Sequence, residues 1–225
     1  MNARMLEPEW LDALPPHDRR ALRSRRDLRR INALMRNPAL ISRALARHLP
    51  VRRGLRIAEL GAGDGTVMLS AVRRLQWPQP EVTLVDRAPA VDLEAFSRLG
   101  CKATVAGCDV FAFFGAEHFD AIVANLFLHH FDDQRLQRLL ALAAARTSLV
   151  IACEPRRSMT ALAGSRLLGL IGCNDVTRHD ALISVRAGFR DQEISSLWNT
   201  PGWTLAEQPA WPFSHLFIAL RDAGA

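Results

Sequence analysis

The sequence contains no apolar run of the roughly 18 residues that a membrane-crossing helix needs, and no apolar signal region at its start. A cytoplasmic chain with no membrane partner is the expectation. Lysine is almost missing: Lys102 is the single one among 29 basic side chains, and arginine supplies the others. Only four cysteines occur, Cys101, Cys108, Cys153 and Cys173, and no two form a C-x-x-C pair. They read as free thiols in a reducing compartment. Internal repeats and low-complexity tracts are absent as well.

What is present suits a packed core. The 225 residues are 49% hydrophobic, enough for one domain or one domain with a small cap. The net charge of +6 is uneven: residues 1–56 hold 14 arginines against 5 acids, a surplus of 9, which leaves the remainder at −3. Such a lobe fits nucleic acid, anionic lipid or an acidic partner. The plainer reading is a solvated helical face, because charge runs alone are poorly specific.

The organising stretch is Leu55-Arg56-Ile57-Ala58-Glu59-Leu60-Gly61-Ala62-Gly63-Asp64-Gly65-Thr66. An apolar lead runs into three glycines at alternate positions, and Val67, Met68, Leu69, Ala71, Val72 and Leu75 follow at helical spacing. This predicts a buried strand, a sharp turn and a helix. The glycines allow close approach of a ligand, and the helix's first free N–H groups favour a negative group there. A nicotinamide or flavin fingerprint is G-x-G-x-x-G, but here the third glycine comes one residue early. Glu59 and Asp64 also flank the turn. Beside a pyrophosphate each would repel by roughly 1 to 4 kcal/mol per close pair. They suit instead a ligand that carries both an ammonium and a carboxylate.

The rest of the chain reads as alternating elements. Residues 7–14 form a short amphipathic piece closed by Pro15 and Pro16. A helix is predicted from Asp18 to Met35 with Leu22, Leu28, Ile31, Leu34 and Met35 as its apolar stripe, and Asn37 is expected to cap the next helix. Strands are predicted at Val82–Val85, Lys102–Val105, Phe119–Asn125 and Thr147–Cys153, with a helix after Asp132. Residues 158–199 break this rhythm, and two strands close the chain. The pattern gives an α/β chain built on a Rossmann-like, doubly wound sheet. The domain boundaries expected are a helical cap over residues 1–53 and a ligand-binding domain over 54–225, with 158–199 as a helical insertion lining a substrate pocket. Asp86, at the tip of strand two, stands where such a fold binds ribose hydroxyls.

Glu59, Gly61, Gly63 and Gly65 reproduce E-x-G-x-G-x-G, the first motif of the class I S-adenosylmethionine-dependent methyltransferases, and the chain resembles that family. The resemblance implies a seven-stranded sheet closed by an antiparallel pair, and S-adenosyl-L-methionine as cofactor. It also implies that Asp109 accepts from the adenine amino group while Val110 packs on the ring, although Asp109 also reads as a plain loop cap. Ala62, Arg87, Asn125 and Leu126 complete the expected cofactor set.

Leu126-Phe127-Leu128-His129-His130-Phe131-Asp132 resembles the corresponding segment of small-molecule O-methyltransferases, where a histidine deprotonates a phenol. It equally resembles the ubiquinone/menaquinone-type C-methyltransferases. His129 is expected as general base and His130 as a positioning group. Prolines of the nucleic-acid amino-methyltransferase motif are absent after Asn125, which favours a small molecule over a nucleic acid. A metal ion is not expected, since adjacent residues on a turn and helix start do not readily converge on one ion. The expected substrate-binding residues are Glu154, Asn174, Asp175, Arg178, His179 and Arg186. The 174–180 segment with the arginine-rich helix resembles methyltransferases found with type III polyketide synthases, which implies a phenolic or polyketide-like acceptor. The alternatives are an RNA-binding methyltransferase and a quinone-type C-methyltransferase.

Overall fold

The computed structural model describes residues 3–15 and 17–224; Pro16, expected with Pro15 to close the first helix, lies outside them. Seven strands, β1 (Arg56–Leu60), β2 (Glu81–Asp86), β3 (Lys102–Gly107), β4 (Ala121–Asn125), β5 (Leu149–Pro155), β6 (Trp203–Ala210) and β7 (Ser214–Arg221), form one sheet in the order β3-β2-β1-β4-β5-β7-β6. The strands β1 to β5 are parallel, and β7 runs antiparallel to both β5 and β6. The chain reverses its order between β1 and β4, and that switch point opens a crevice at their carboxyl ends.

Helices α1 (Trp10–Ala13), α2 (Arg19–Leu34) and α3 (Asn37–His48) precede the sheet. The crossovers are α4 (Thr66–Leu75), α5 (Leu93–Ser97), α6 (Val110–Phe113) and α7 (Asp133–Ala144), and α8 (Met159–Arg166), α9 (Asp175–Ala187) and α10 (Glu193–Leu197) lie between β5 and β6. Alternation along the strands divides the core into two layers. Ile57, Val123, Ile151 and Cys153 pack with α3 and α4 through Ile41, Leu45, Met68 and Val72. Ala58, Leu60, Ile122 and Ala124 pack on the other side with Leu136, Leu139 and Leu140 of α7. All five residues of β4 are buried, as a central parallel strand requires. Among the described residues no helix is long and apolar enough to cross a membrane, and all four cysteines are free.

The N-terminal helices differ from the sequence-based expectation. Leu22 and Leu34 point outward, 42% and 57% exposed, and the buried positions of α2 are Ala21, Ser24, Asp27 and Asn32. The reason is its partner. This helix packs not on the sheet but on the start of α9, where Asp27 accepts from the Asn174 N–H (2.9 Å) and Ser24 bonds Thr177 (2.9 Å). Asn37 is not a cap either. Arg36 holds that position in the left-handed region, and Asn37 lies inside the helix, fully buried. Its side chain is consumed by Asn32, Ser214 and Cys153, which tie α2, α3, β7 and β5 together.

Gly188, after α9, passes against the end of β5. A Cβ there would lie 2.2 Å from the Pro155 carbonyl oxygen, a backbone atom that cannot swing aside. The flanking bonds, Phe189 N–H to Pro155 O (2.9 Å) and Arg157 N–H to Phe189 O (3.0 Å), fix the approach. Gly188→Ala is therefore expected to cost about 1 to 3 kcal/mol of unfolding free energy. A urea midpoint unchanged from the parent chain would contradict this close approach.

Candidate active site

The glycine turn follows β1 with Gly61, Gly63 and Gly65 all at positive φ, 69°, 55° and 70°. Each has a different task. A Cβ on Gly61 would fall 2.2 Å from Cδ2 of Phe127, whose ring covers the turn, whereas nothing stands within 4 Å of a Cβ on Gly63. The open side of Gly63 is therefore available to a ligand. Its N–H donates to Asp86 Oδ2 (2.8 Å), and Ala88 N–H donates to Oδ1 (2.8 Å), so the β2 carboxylate is turned toward the glycine turn. Each oxygen keeps a lone pair for a further donor. Ala62 is buried, and its N–H donates to Val85 O (3.0 Å), which holds the turn against β2. Asp64 Oδ1 accepts from the N–H and the hydroxyl of Thr66 at the start of α4, and its Oδ2 pairs with Arg29 of α2 at 2.6 Å.

Beneath the turn lies a buried carboxyl without a partner. Glu59 is 2% exposed, and its Oε2 has no hydrogen bond among the described residues. Burial, with Asp64 and Asp86 adding to it, pushes this carboxyl well above the ordinary glutamate range. Strand parity places Glu59 on the sheet face of Ile57 and Val123, and Asn125, at the tip of β4, falls on that same face.

The orientation of Asn125 follows from a chain of amides. Leu28 O can only accept, so Asn32 turns its Nδ2 to it (3.1 Å) and presents Oδ1 on the other side. That oxygen takes Nδ2 from both Asn37 (3.0 Å) and Asn125 (2.9 Å). Asn125 Oδ1 is thereby turned away, buried and unpartnered. Two buried acceptors at the switch point, Glu59 Oε2 and Asn125 Oδ1, thus lack donors. Orphaned acceptors of this kind are rare and call for a bound group. An ammonium, whose hydrogens only donate, fits them, and S-adenosylmethionine carries one. Other expected cofactor residues sit at the rim: Arg87 is exposed, Asp109 caps α6 by accepting from Phe111 N–H (2.9 Å), and Val110 is buried behind it.

After β4 the chain turns sharply. Leu126 takes a positive φ of 49°, a strained value for leucine. The turn carries Phe127 over Gly61 and starts a 3-10 turn, Leu128–His130. Glu154, at the end of β5, organises it from below. Its Oε1 accepts from the Phe127 and Leu128 N–H groups (both 3.0 Å), and its Oε2 accepts from Nδ1–H of His129 at 2.8 Å. Burial alone would raise this carboxyl, but the His129 bond and the two amides hold it below the ordinary range. Glu154, expected to touch substrate, is fully buried, and its side chain meets His129 instead. His130 bonds Phe127 O through Nδ1 (2.9 Å).

Glu9, just ahead of α1, was not legible as a site residue. It lies 3.5 Å from His129 Nε2 through Oε1 and 3.4 Å from His130 Nε2 through Oε2. Burial opposes the charge on both partners, yet contact with His129 and His130 keeps Glu9 below its ordinary range, and Glu9 raises His130 to about 9. The strap that carries Glu9 is latched at both ends. Arg4 donates to Phe131 O (2.8 Å) and Ala187 O (2.9 Å), and Asp180 accepts from Trp10 and Leu11 N–H (2.8 and 3.0 Å). His179 stacks on Trp10 with centroids 3.7 Å apart. Of the other residues expected around substrate, Asn174 caps α9 by accepting from Thr177 N–H (2.9 Å), and Asp175 and Arg178 are exposed. Arg186 lies 4.0 Å from Glu7.

Because the folded chain holds Glu59 above its unfolded value, the ligand-free protein binds the extra proton and loses stability as pH rises through the ordinary glutamate range toward the raised one. Glu59→Gln is therefore expected to raise the ligand-free melting temperature at pH 7. The same change is expected to weaken S-adenosylmethionine binding roughly ten- to hundredfold, the loss of one charge-assisted hydrogen bond. Calorimetry showing equal cofactor affinity in the variant would contradict the role of this carboxyl.

Comparison with known proteins agrees with the fold. Residues 57–150, from β1 into β5, match the family model described as a methyltransferase domain. No curated protein sequence matches the chain. Among solved structures, the plantazolicin methyltransferase BpumL in complex with a monoazolic desmethyl analogue and adenosylhomocysteine (SAH) is similar at 12% identity, over 90% of each chain, with a TM-score of 0.68. An O-methyltransferase family protein from Burkholderia thailandensis is 17% identical over 93% of this chain and 62% of its own, with a TM-score of 0.59. Magnesium protoporphyrin IX methyltransferase from Synechocystis PCC 6803 with bound SAH is 12% identical over 94% and 91%, with a TM-score of 0.57. At such identities the structural likeness is one of fold, while the family match bears on the glycine turn and β4 directly. Residues 57–150 thus carry a methyltransferase domain, and the chain has the fold of the SAH-bound, S-adenosylmethionine-dependent methyltransferases.

Proposed function

We propose that this enzyme methylates a hydroxyl of a small phenolic or polyketide-like acceptor, with the reacting oxygen brought to the histidine pair after β4. The observation that supports this most is the buried His129–Glu154 pair beside the glycine turn, with Nδ1 and Oε2 2.8 Å apart. A carboxylate on Nδ1–H fixes the tautomer and leaves the Nε2 lone pair of His129 facing Glu9, in the place an acceptor oxygen would take. Glu154 is a positioning residue in this reading, and His130 orients the neighbouring wall.

When bound, S-adenosylmethionine supplies a methyl group on a sulfonium, a good leaving group. Alignment and exclusion of water are then left to the protein. Glu59 and Asn125 would hold the amine and Asp86 the ribose, with Gly61, Ala62, Gly63 and Gly65 giving backbone approach. Val110, Leu126, Asp109 and Arg87 would border the adenine end. His129 Nε2 draws the proton from the hydroxyl as the oxygen attacks the methyl carbon. Residues 1–53 serve as a cap, and 158–199 shape the acceptor side, where His179, Arg186, Asn174, Asp175 and Arg178 stand along α9. Nucleic acid is disfavoured as acceptor because Arg4, Arg20, Arg29, Arg30, Arg52 and Arg56 of the basic lobe face the chain's own carboxylates.

Incubation with methyl-labelled cofactor and a panel of phenols and resorcinols is expected to give O-methyl ethers, identified by mass and NMR. Methylation at ring carbon alone would favour the quinone-type alternative. His129→Ala is expected to lower turnover by about 10²- to 10⁴-fold with cofactor affinity unchanged. Turnover equal to that of the parent enzyme would remove His129 from the mechanism.

A further inference from the structure

We propose that Glu9, His129 and His130 form a binding site for one divalent cation of the zinc type. The ligand atoms come from two segments far apart in sequence, and all lie within 4.8 Å of one another. Both imidazoles are oriented as a metal needs, and an ion would displace the proton that Glu9 favours on His130. Nδ1–H of His129 is committed to the Glu154 carboxylate at 2.8 Å, and Nδ1–H of His130 to the Phe127 carbonyl at 2.9 Å. Each acceptor fixes a tautomer whose free lone pair is on Nε2, and both Nε2 atoms face Glu9. A carboxylate or carbonyl behind each histidine ligand is the usual outer shell of a metal site.

The spacing supports an ion more than a hydrogen bond. His129 Nε2 is 3.5 Å from Glu9 Oε1, and His130 Nε2 is 3.4 Å from Oε2. Hydrogen bonds between such atoms are about 2.7 to 3.2 Å long. Two ligands on a tetrahedral ion, each bound at about 2.0 to 2.2 Å, stand ~3.4 Å apart. Each imidazole is that far from its own oxygen of Glu9, while one Glu9 oxygen and one ring nitrogen of each histidine lie within 4.8 Å of one another, so a bound ion would draw the three together. His129 Nε2, in a side chain 3% exposed, has no hydrogen-bond partner among the described residues, so a buried lone pair points at this spot unused. Ser184 Oγ donates to Glu9 Oε1 at 2.5 Å and steadies the third ligand.

Two histidines and one carboxylate leave one position of a zinc coordination sphere open. The ion's role there rests on reading this pocket as the acceptor site. A hydroxyl bound at the open position becomes more acidic and loses its proton to solvent before the methyl group arrives. His129 then acts through the ion instead of taking the proton itself. The ion also resolves a steric difficulty: without it Glu9 occupies the place where an acceptor oxygen would meet His129, whereas with it Glu9 remains as a ligand.

The full chain, freed of metal with a chelator, is titrated with zinc chloride by calorimetry, and its metal content is measured after gel filtration. One equivalent of zinc is expected at micromolar affinity or better. Glu9→Gln is expected to weaken binding at least tenfold. Glu154→Gln, which keeps every ligand but loses the carboxylate behind His129, is expected to weaken it about 10- to 100-fold. Retained binding of adenosylhomocysteine in both variants reports that they fold. Parent protein that retains no stoichiometric zinc, or equal affinity in Glu9→Gln, overturns the proposal. Zinc bound as described in a protein that methylates no phenol would overturn the acceptor assignment and leave the ion site standing.

Discussion

An unpaired carboxyl under the glycine turn sets the terms for the rest of this structure. Glu59 is buried where the sheet order reverses, no donor reaches Oε2, and Asp64 and Asp86 add negative field around it. A fold tolerates such a group only where something else compensates. The glycines leave space above it, β4 sets Asn125 beside it, and Asp86 closes the third side. The pocket is a concentration of acceptors, which suits a cationic ligand better than the pyrophosphate held by other doubly wound folds.

The same polar logic extends into the N-terminal helices. Their attachment relies less on an apolar stripe than on buried hydrogen bonds: Asp27 to Asn174, Ser24 to Thr177, Asn32 to Asn37 and Asn125, and Asp180 to the strap before α1. Buried polar contacts specify one arrangement sharply, since each is costly when left half made. One such chain, from Leu28 O through Asn32, sets the orientation of Asn125. The segment that carries Asn32 therefore reaches the cleft itself. It orients an atom in the cleft floor.

Much of this was legible in the sequence. The strands announce themselves as apolar runs, the glycine spacing with Glu59 marks the turn, and Asp86 falls at a strand tip. Asp132 as the α7 cap and the inward Leu136, Leu139 and Leu140 follow from periodicity alone. The misses share one cause. Leu22 and Leu34 looked like a core stripe because helical period shows an amphipathic face, not which neighbour it meets; here that neighbour is the polar start of α9. Asn37 next to proline looked like a cap, but a tertiary network claims its side chain. Glu9 lies 120 residues from His129 (129 − 9), in a segment with no motif, so no local signal could have found it. Convergence of His129 and His130 was discounted because adjacent residues usually diverge; the 3-10 turn, anchored by Glu154 and Phe127 O, aims both rings at one carboxylate.

The central claim is that Glu59 and Asn125 are the receivers of a cofactor's amine. A crystal structure of the enzyme with adenosylhomocysteine tests it most directly. The account predicts the amine nitrogen within hydrogen-bonding distance of Glu59 Oε2 and Asn125 Oδ1, directly or through one water, with the ribose hydroxyls on Asp86. A ligand seated elsewhere, with both acceptors still unpaired, would contradict it.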